Sequence, residues 1–298
     1  MTISVGNDSF TYEVAEGWGE LPEGYEWGQF GAVNVDAQDR VHIFTRTDHP
    51  LMIFDRDGHF EQSTGEGFIK DAHGLCLDHD GNRFLVDRAA QVAMKFTPEG
   101  EKIFELGNRD QPSDTGYTDE NPTVLRAAGP FHHPTDVAIS ASGDFYVSDG
   151  YRNARVHKFS ADGTLLFSWG EPGTGPGQFR VAHSVWEARG RVYVADRENN
   201  RIQIFTPQGE FLEMWTDFLQ PCDIYVDDKD VMYVAELQGR VTLLSLDGEI
   251  LTRIGNPAQR IAEAGKFVGP HGIWADQHGD FYVSEVLTGQ RVQKFIRK

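Results

Sequence analysis

The chain has 298 residues, 39% of them hydrophobic and 24% charged, which allows a sizeable core and excludes a disordered or fibrous protein. Its formal charge of −19 opposes a phosphate backbone, so nucleic acid is not an expected partner. No apolar run approaches the ~20 residues of a spanning helix, and MTISVGNDSF lacks the basic and apolar regions of a secretory signal; the expectation is a soluble, cytoplasmic protein with no membrane partner.

The 32 glycines and 13 prolines are scattered between short apolar runs, a pattern of many tight turns that favours an all-β fold. In chain order, FTYEVAEGWG at residues 10–19 reads as an isolated strand. After it comes a repeating unit. The first copy begins near Gly31 with GAVNVDAQDRVHIFTR, and the second is HGLCLDHDGNRFLVDR continued by AMKFTPEG and KIFELG. A polar, turn-rich insert spans about residues 107–130. The third copy is TDVAISASGDFYVSDGYRNARVHKFSADG with LLFSWG, the fourth HSVWEARGRVYVADRENNRIQIFTPQG with FLEMW, and the fifth CDIYVDDKDVMYVAELQGRVTLLSLDG with ILTRIG. The sixth, HGIWADQHGDFYVSEVLTGQRVQKFIRK, stops after three strands.

Within each copy apolar and polar residues alternate, as at Phe145 and Val147 against Tyr146 and Ser148, the period of a strand. Asp57-Gly58, Asp162-Gly163 and Asp247-Gly248 supply the positive φ of hairpin turns. Four strands per copy make a blade, and six copies predict a single six-bladed β-propeller over residues 1–298. The strand missing from the sixth copy is expected from residues 10–19. Such closure removes the unpaired edges that an open β-solenoid would leave. Cys76 and Cys222 lie in apolar strand segments and read as buried free thiols, which suits a reducing compartment.

At the start of the innermost strand the six copies carry Gly31, His73, Thr135, His183, Cys222 and His271. Alternate blades of a six-fold ring stand about 120° apart, so His73, His183 and His271 are expected to meet around the axis. Any one of them alone would read as a hydrogen-bonded core histidine. Three in alternate copies form a set that holds zinc with an open fourth position, and imidazole equally accepts iron, manganese or cobalt. The remaining histidines named by register, His42, His49, His79, His132, His133, His157 and His278, read mostly as solvated, with His132 or His133 at the rim. Polar residues ending the second strands, Arg46, Asp87-Arg88, Asp149-Gly150-Tyr151 and Asp196-Arg197, are expected at the same mouth. The aspartates among them read as turn caps. A tyrosine and arginines beside a Lewis acid bind a carboxylate and move a proton.

DGYRNARVHKFSADG, GQFRVAHSV, ADRENNRIQIF and GPHGI closely resemble the catalytic core of the peptidyl-α-hydroxyglycine α-amidating lyases, over nearly the whole chain. The resemblance implies a six-bladed propeller of NHL-type repeats, zinc on His73, His183 and His271, and three catalytic residues: Tyr151 of the DGY motif, Arg46 in RTDH and Arg197 in DREN. It also implies a metal-dependent lyase that breaks the N–C bond of a carbinolamide. Tyr151 then takes the proton of the substrate hydroxyl and Arg46 anchors the carboxylate. The chain departs from that family at Gly272, where the family has an aspartate beside a structural calcium, so calcium is not expected. At Arg152 the animal members have a cysteine. The monooxygenase segment that prepares a peptide substrate is missing here, so the expected substrate is a small hydroxylated molecule with a carboxylate rather than a peptide awaiting amidation. The rival readings are a metal-dependent hydrolase or lactonase and a non-enzymatic binding scaffold.

Overall fold

The computed structural model describes residues 2–7 and 9–298. It is all-β apart from one turn of 3-10 helix at Arg197–Asn199, and its strands form six large antiparallel sheets and one two-stranded ladder. This is the six-bladed β-propeller expected from the repeats. No helix among the described residues is long and apolar enough to cross a membrane.

The chain falls into two compact units, one made of the residues up to Ala72 with Cys222–Lys298 and the other of His73–Pro221. Three sheets centre on each. In the first unit, Phe30–Val35, Val41–Thr45, Leu51–Phe54 and Phe60–Thr64 form one sheet, and Pro221–Val226 through Ile250–Ile254 form another. The third contains Pro270–Ala275, Phe281–Glu285 and Val292–Arg297, completed by Phe10–Ala15. That strand lies antiparallel to Val292–Arg297, with Tyr12 opposite Arg297. The fourth strand of the last copy therefore does come from the N-terminal segment, but it ends at Ala15, short of Trp18-Gly19. A further strand, Ser4–Asn7, adds a fifth to this sheet. Trp18 instead donates Nε1 to the Arg56 carbonyl at 3.0 Å and packs on Phe54 and Tyr282.

In the second unit the sheets run Ala72–Leu77 to Lys102–Leu106, Asp136–Ile139 to Leu165–Trp169, and Ala182–Ala188 to Phe211–Trp215. Residues 107–130 form no strand. Gly58, Gly163 and Gly248 have φ of 97°, 89° and 85°, which fits the hairpin turns expected there.

The repeat places one aromatic layer in each unit. Tyr12, Phe281 and Phe295 pack with ring centroids 4.7 Å and 4.4 Å apart, and Phe104, Phe145 and Phe159 stack at 5.8 Å and 5.3 Å. Such pairs add about 0.5–1.5 kcal/mol each beyond the area they bury. Both cysteines are free and buried, as expected.

Candidate metal centre

Each histidine of the repeated slot sits at the second residue of its strand: His73 in Ala72–Leu77, His183 in Ala182–Ala188 and His271 in Pro270–Ala275. Thr135 immediately precedes Asp136–Ile139. At His183 and His271 the pairing with the next strand slips by a residue, between Ala182 and Ser184 and between Pro270 and Gly272. A bulge there re-aims a side chain that regular pleating would send elsewhere.

The approach to these strands is held by acids at the ends of the second strands. Asp149 accepts the His132 amide at 3.0 Å, Asp196 accepts the Arg180 amide at 3.0 Å, and Glu285 accepts the amides of Val268 and Gly269. Each acid is fully buried and meets a basic partner: His157, Arg201 and Arg291 respectively. The aspartates are thus structural caps, in line with the sequence reading. His157 is a correction, as is His42, which pairs with Asp36: both were expected to be solvated and are buried, because strands covered on both faces leave no solvent side for their polar residues.

Within the second unit, His73 and His183 are each 2% exposed. Nδ1 of His73 is 2.6 Å from the Thr135 carbonyl. A carbonyl can only accept, so Nδ1 carries the proton and Nε2 keeps its lone pair. Gly74 makes this approach possible, since a Cβ at that position would lie 2.8 Å from the same Thr135 oxygen. Gly150 has a similar role before Tyr151, where a Cβ would lie 2.3 Å from the Ala182 oxygen. Tyr151 Oη lies 2.9 Å from His183 Nε2 and 3.2 Å from His73 Nε2, and it accepts Nη1 of Arg197 at 3.0 Å. The guanidinium carbons of Arg88 and Arg197 are 4.9 and 5.0 Å from its ring centroid. Nε of Arg197 is tied to Glu198 at 2.9 Å. Burial pushes Asp136 up to about 6, against the hydroxyl of Ser184 and the amide of Val185, which hold its charged form.

In the first unit, His271 is 4% exposed and donates Nδ1 to the Gly31 carbonyl at 2.9 Å. Arg46 has Nε 2.9 Å from Asp71 and 3.1 Å from the Ala72 carbonyl. His73, His183 and His271 are the three histidines of the repeated slot, and each is buried. The chemistry of these side chains fits a divalent metal: three buried imidazoles, two of which donate Nδ1 to a backbone carbonyl and so keep Nε2 for an ion.

Sequence reasoning expected Arg88 at the mouth among the other strand-end residues, and assigned no role to the Thr135 carbonyl or Glu198. Thr135 was visible as the third copy's occupant of the histidine slot. Its carbonyl, which orients the imidazole one copy earlier, carried no side-chain signal.

The NHL repeat family model matches residues 131–159 and 188–205. The chain is 31% identical over 306 residues to peptidyl-glycine alpha-amidating monooxygenase A of Xenopus laevis, covering 87% of this chain and 31% of that protein. It is 25% identical to peptidyl-alpha-hydroxyglycine alpha-amidating lyase 1 of Drosophila melanogaster, covering 91% and 53%. It is 29% identical to human NHL repeat-containing protein 3, covering 99% and 86%. The chain thus spans less than a third of the Xenopus monooxygenase it matches. Among solved structures, a streptogramin B lyase superposes with a TM-score of 0.66 at 13% identity, covering 96% of this chain and 98% of that one. A gluconolactonase from Xanthomonas campestris does so with 0.65 at 11%, covering 98% and 91%. These two likenesses concern the fold.

The class is therefore an NHL-repeat β-propeller with a buried histidine in one repeated slot of three of its copies. Within that class the chain has homologues named as amidating lyases and as peptidylglycine α-amidating monooxygenases.

Proposed function

We propose that the protein is a metal-dependent lyase that breaks the C–N bond of a carbinolamide in a small substrate bearing a carboxylate. The observation that carries this is the placement of Tyr151 Oη between Nε2 of two buried imidazoles and the guanidinium of Arg197. The homologues named as amidating lyases support the reaction class.

His73, His183 and His271 would hold the ion, zinc first with iron or manganese as alternatives, and when bound it supplies Lewis acidity to the substrate oxygens. Tyr151 Oη takes the proton of the substrate hydroxyl. The electron pair of that O–H bond closes the carbonyl as the C–N bond breaks, and the departing amide nitrogen takes the same proton from Tyr151 Oη, which returns to its starting state. An N-acyl-α-hydroxyglycine thereby becomes an amide and glyoxylate, with no oxidant needed. Arg197 holds Tyr151 in register and Glu198 holds Arg197. Arg46, assigned to the carboxylate by the family resemblance, would have to share its guanidinium with Asp71. Calcium has no place in this reading, and the free, buried Cys76 and Cys222 favour a reducing, cytoplasmic setting. The net charge of −19 argues for a small-molecule partner rather than nucleic acid.

A second reading, a binding scaffold without activity, rests on the similarity to NHL repeat-containing protein 3, whose name states no reaction. One experiment separates the two. Protein prepared without chelator is assayed for metal and incubated in parallel with N-benzoyl-α-hydroxyglycine and a small lactone. Bound metal with release of benzamide and glyoxylate supports the lyase; metal-free protein that turns over neither compound refutes it.

A further inference from the structure

The third copy of the repeat has no imidazole in the histidine slot, yet it holds the two copies beside it that do. Thr135 fills the slot and is fully buried. Its carbonyl takes the Nδ1 proton of His73, in the copy before, at 2.6 Å. Its hydroxyl lies 2.9 Å from the Ala182 carbonyl of the copy after, one residue ahead of His183. That hydroxyl has one proton and a second carbonyl within reach, Ser148's at 3.0 Å, which already accepts the Thr135 amide at 2.8 Å. Ser148 Oγ, 2.8 Å away, donates to Thr135 Oγ1, which leaves the Thr135 proton for Ala182.

The next residue grips the same segment from the other side. Asp136 Oδ2 accepts the hydroxyl of Ser184 at 2.7 Å and the amide of Val185 at 3.3 Å. His183 therefore stands between two anchors, Thr135 on Ala182 and Asp136 on Ser184 and Val185. It is also where the pairing with Arg191–Asp196 slips, between Ala182 and Ser184, so the ladder alone does not fix the direction of its ring. The packing leaves no slack: a Cβ on Gly74 would lie 2.7 Å from the Asp136 Cα, and one on Gly150 2.3 Å from the Ala182 oxygen that Thr135 holds. Gly150 leads directly to Tyr151, whose Oη meets Nε2 of both imidazoles.

We infer that the dipeptide Thr135-Asp136 is a positioning element for the metal ligands: it sets the tautomer of His73 and the direction of His183, so that both Nε2 atoms face the small volume marked by Tyr151 Oη. This rests on the metal-dependent lyase reading, whose ligands it orients. Neither residue touches substrate or ion; both act through the histidines. Threonine suits the slot because its β-branch restricts χ1 and so fixes the direction of the hydroxyl. Hydrogen bonds behind ligating side chains are worth about 10–100-fold in metal affinity.

The test uses the full chain with a removing and a restoring substitution at each position. Zinc affinity is measured by competition with a chromophoric chelator, and the visible spectrum of the cobalt(II) form reports ligand geometry. Thr135→Val keeps the carbonyl and the shape but removes the hydroxyl; Asp136→Ala removes the carboxylate. Each is expected to weaken zinc binding by about tenfold to a hundredfold and to alter the cobalt spectrum. Thr135→Ser and Asp136→Asn, which restore a hydroxyl and an acceptor oxygen, are expected to return both readouts toward the wild type. Thr242→Val removes an equally buried hydroxyl, the one given to Glu236 in the first unit. As the control for lost stability, it is expected to lower the urea midpoint and leave zinc affinity alone. Unchanged zinc affinity in either Thr135→Val or Asp136→Ala overturns the positioning element and leaves the lyase standing, as does an equal loss in Thr242→Val. Should Thr135→Val not fold, the Asp136 pair decides alone. If the wild type binds zinc without cleaving N-benzoyl-α-hydroxyglycine, and zinc weakens in the two removing variants but not in the control, the positioning element stands and the lyase reading falls. Wild type that binds neither zinc nor cobalt removes both.

Discussion

The phenol oxygen of Tyr151 and Nε2 of His183 are 2.9 Å apart, although one lies two residues past the second strand of its sheet, Phe145–Asp149, and the other is the second residue of the first strand of the next, Ala182–Ala188. Gly150 permits that approach. Tyr151→Phe keeps the ring under Arg88 and Arg197 and deletes only the oxygen. Turnover is expected to fall about 10²–10⁴-fold, the usual scale for a positioned proton acceptor, with metal content unchanged. Stopped assays and elemental analysis on one preparation check both; intact turnover would remove Tyr151 from the chemistry.

Replacing His271 with Ala leaves two imidazoles and is expected to abolish metal retention on gel filtration, where the wild type keeps about one equivalent. Because an ion bound only by the folded chain stabilises it, by about 4 kcal/mol at a thousandfold excess over Kd, chelator should lower Tm of the wild type and not of His271→Ala. Equal chelator shifts in both would rule these histidines out as the ligands.

His133 has φ of 58° and a folded-state value near 3 against an ordinary 6.5. Between those pH values the unfolded chain binds a proton that the folded chain refuses, so stability is full above about 6.5 and is lost as pH falls toward 3. Glu105, lowered to about 2 by Arg109, erodes in the same direction below its ordinary 4.5. Asn tolerates positive φ and does not titrate. In His133→Asn the drop in urea midpoint from pH 7 to pH 4.5 should be smaller than in the wild type; an identical drop would contradict the assignment.

Glu236 is fully buried, accepts Nε and Nη2 of Arg240 at 2.7 and 2.6 Å, and also takes the hydroxyl of Thr242. Glu236→Ala removes the carboxylate that takes two N–H groups of a nearly buried guanidinium and is expected to cost about 3–5 kcal/mol. Equilibrium denaturation of this variant beside an exposed control such as Glu249→Ala measures it, and a loss no larger than the control's would mean that Arg240 finds another partner.

Much of this site was legible because a repeat turns spacing into geometry. His73, His183 and His271 were found by their shared slot, and Tyr151 and Arg197 by the strand ends beside it. What the sequence hid has physical reasons. The slipped pairing at His183 and His271 depends on the partner strand and leaves no local signature. His42 and His157 looked solvated because alternation marks a half-buried strand, whereas these strands are covered on both faces. The pairing of Arg46 with Asp71 joins a strand end to a loop 25 positions later, a distance at which composition is silent. Strand Ser4–Asn7 was invisible for a simpler cause: SVGN has too few apolar residues to announce itself.

Tyr12 faces Arg297 in the sheet that joins the two extremities of the chain. During synthesis Phe10–Ala15 leaves the ribosome long before Val292–Arg297 exists, and it spends that interval with its hydrogen-bonding edges open to any other nascent chain. A circular permutant with Lys298 linked to residue 2 and new termini in the exposed Asp228-Lys229 turn would make the two strands neighbours in sequence. Such a molecule should refold faster and aggregate less at equal native stability.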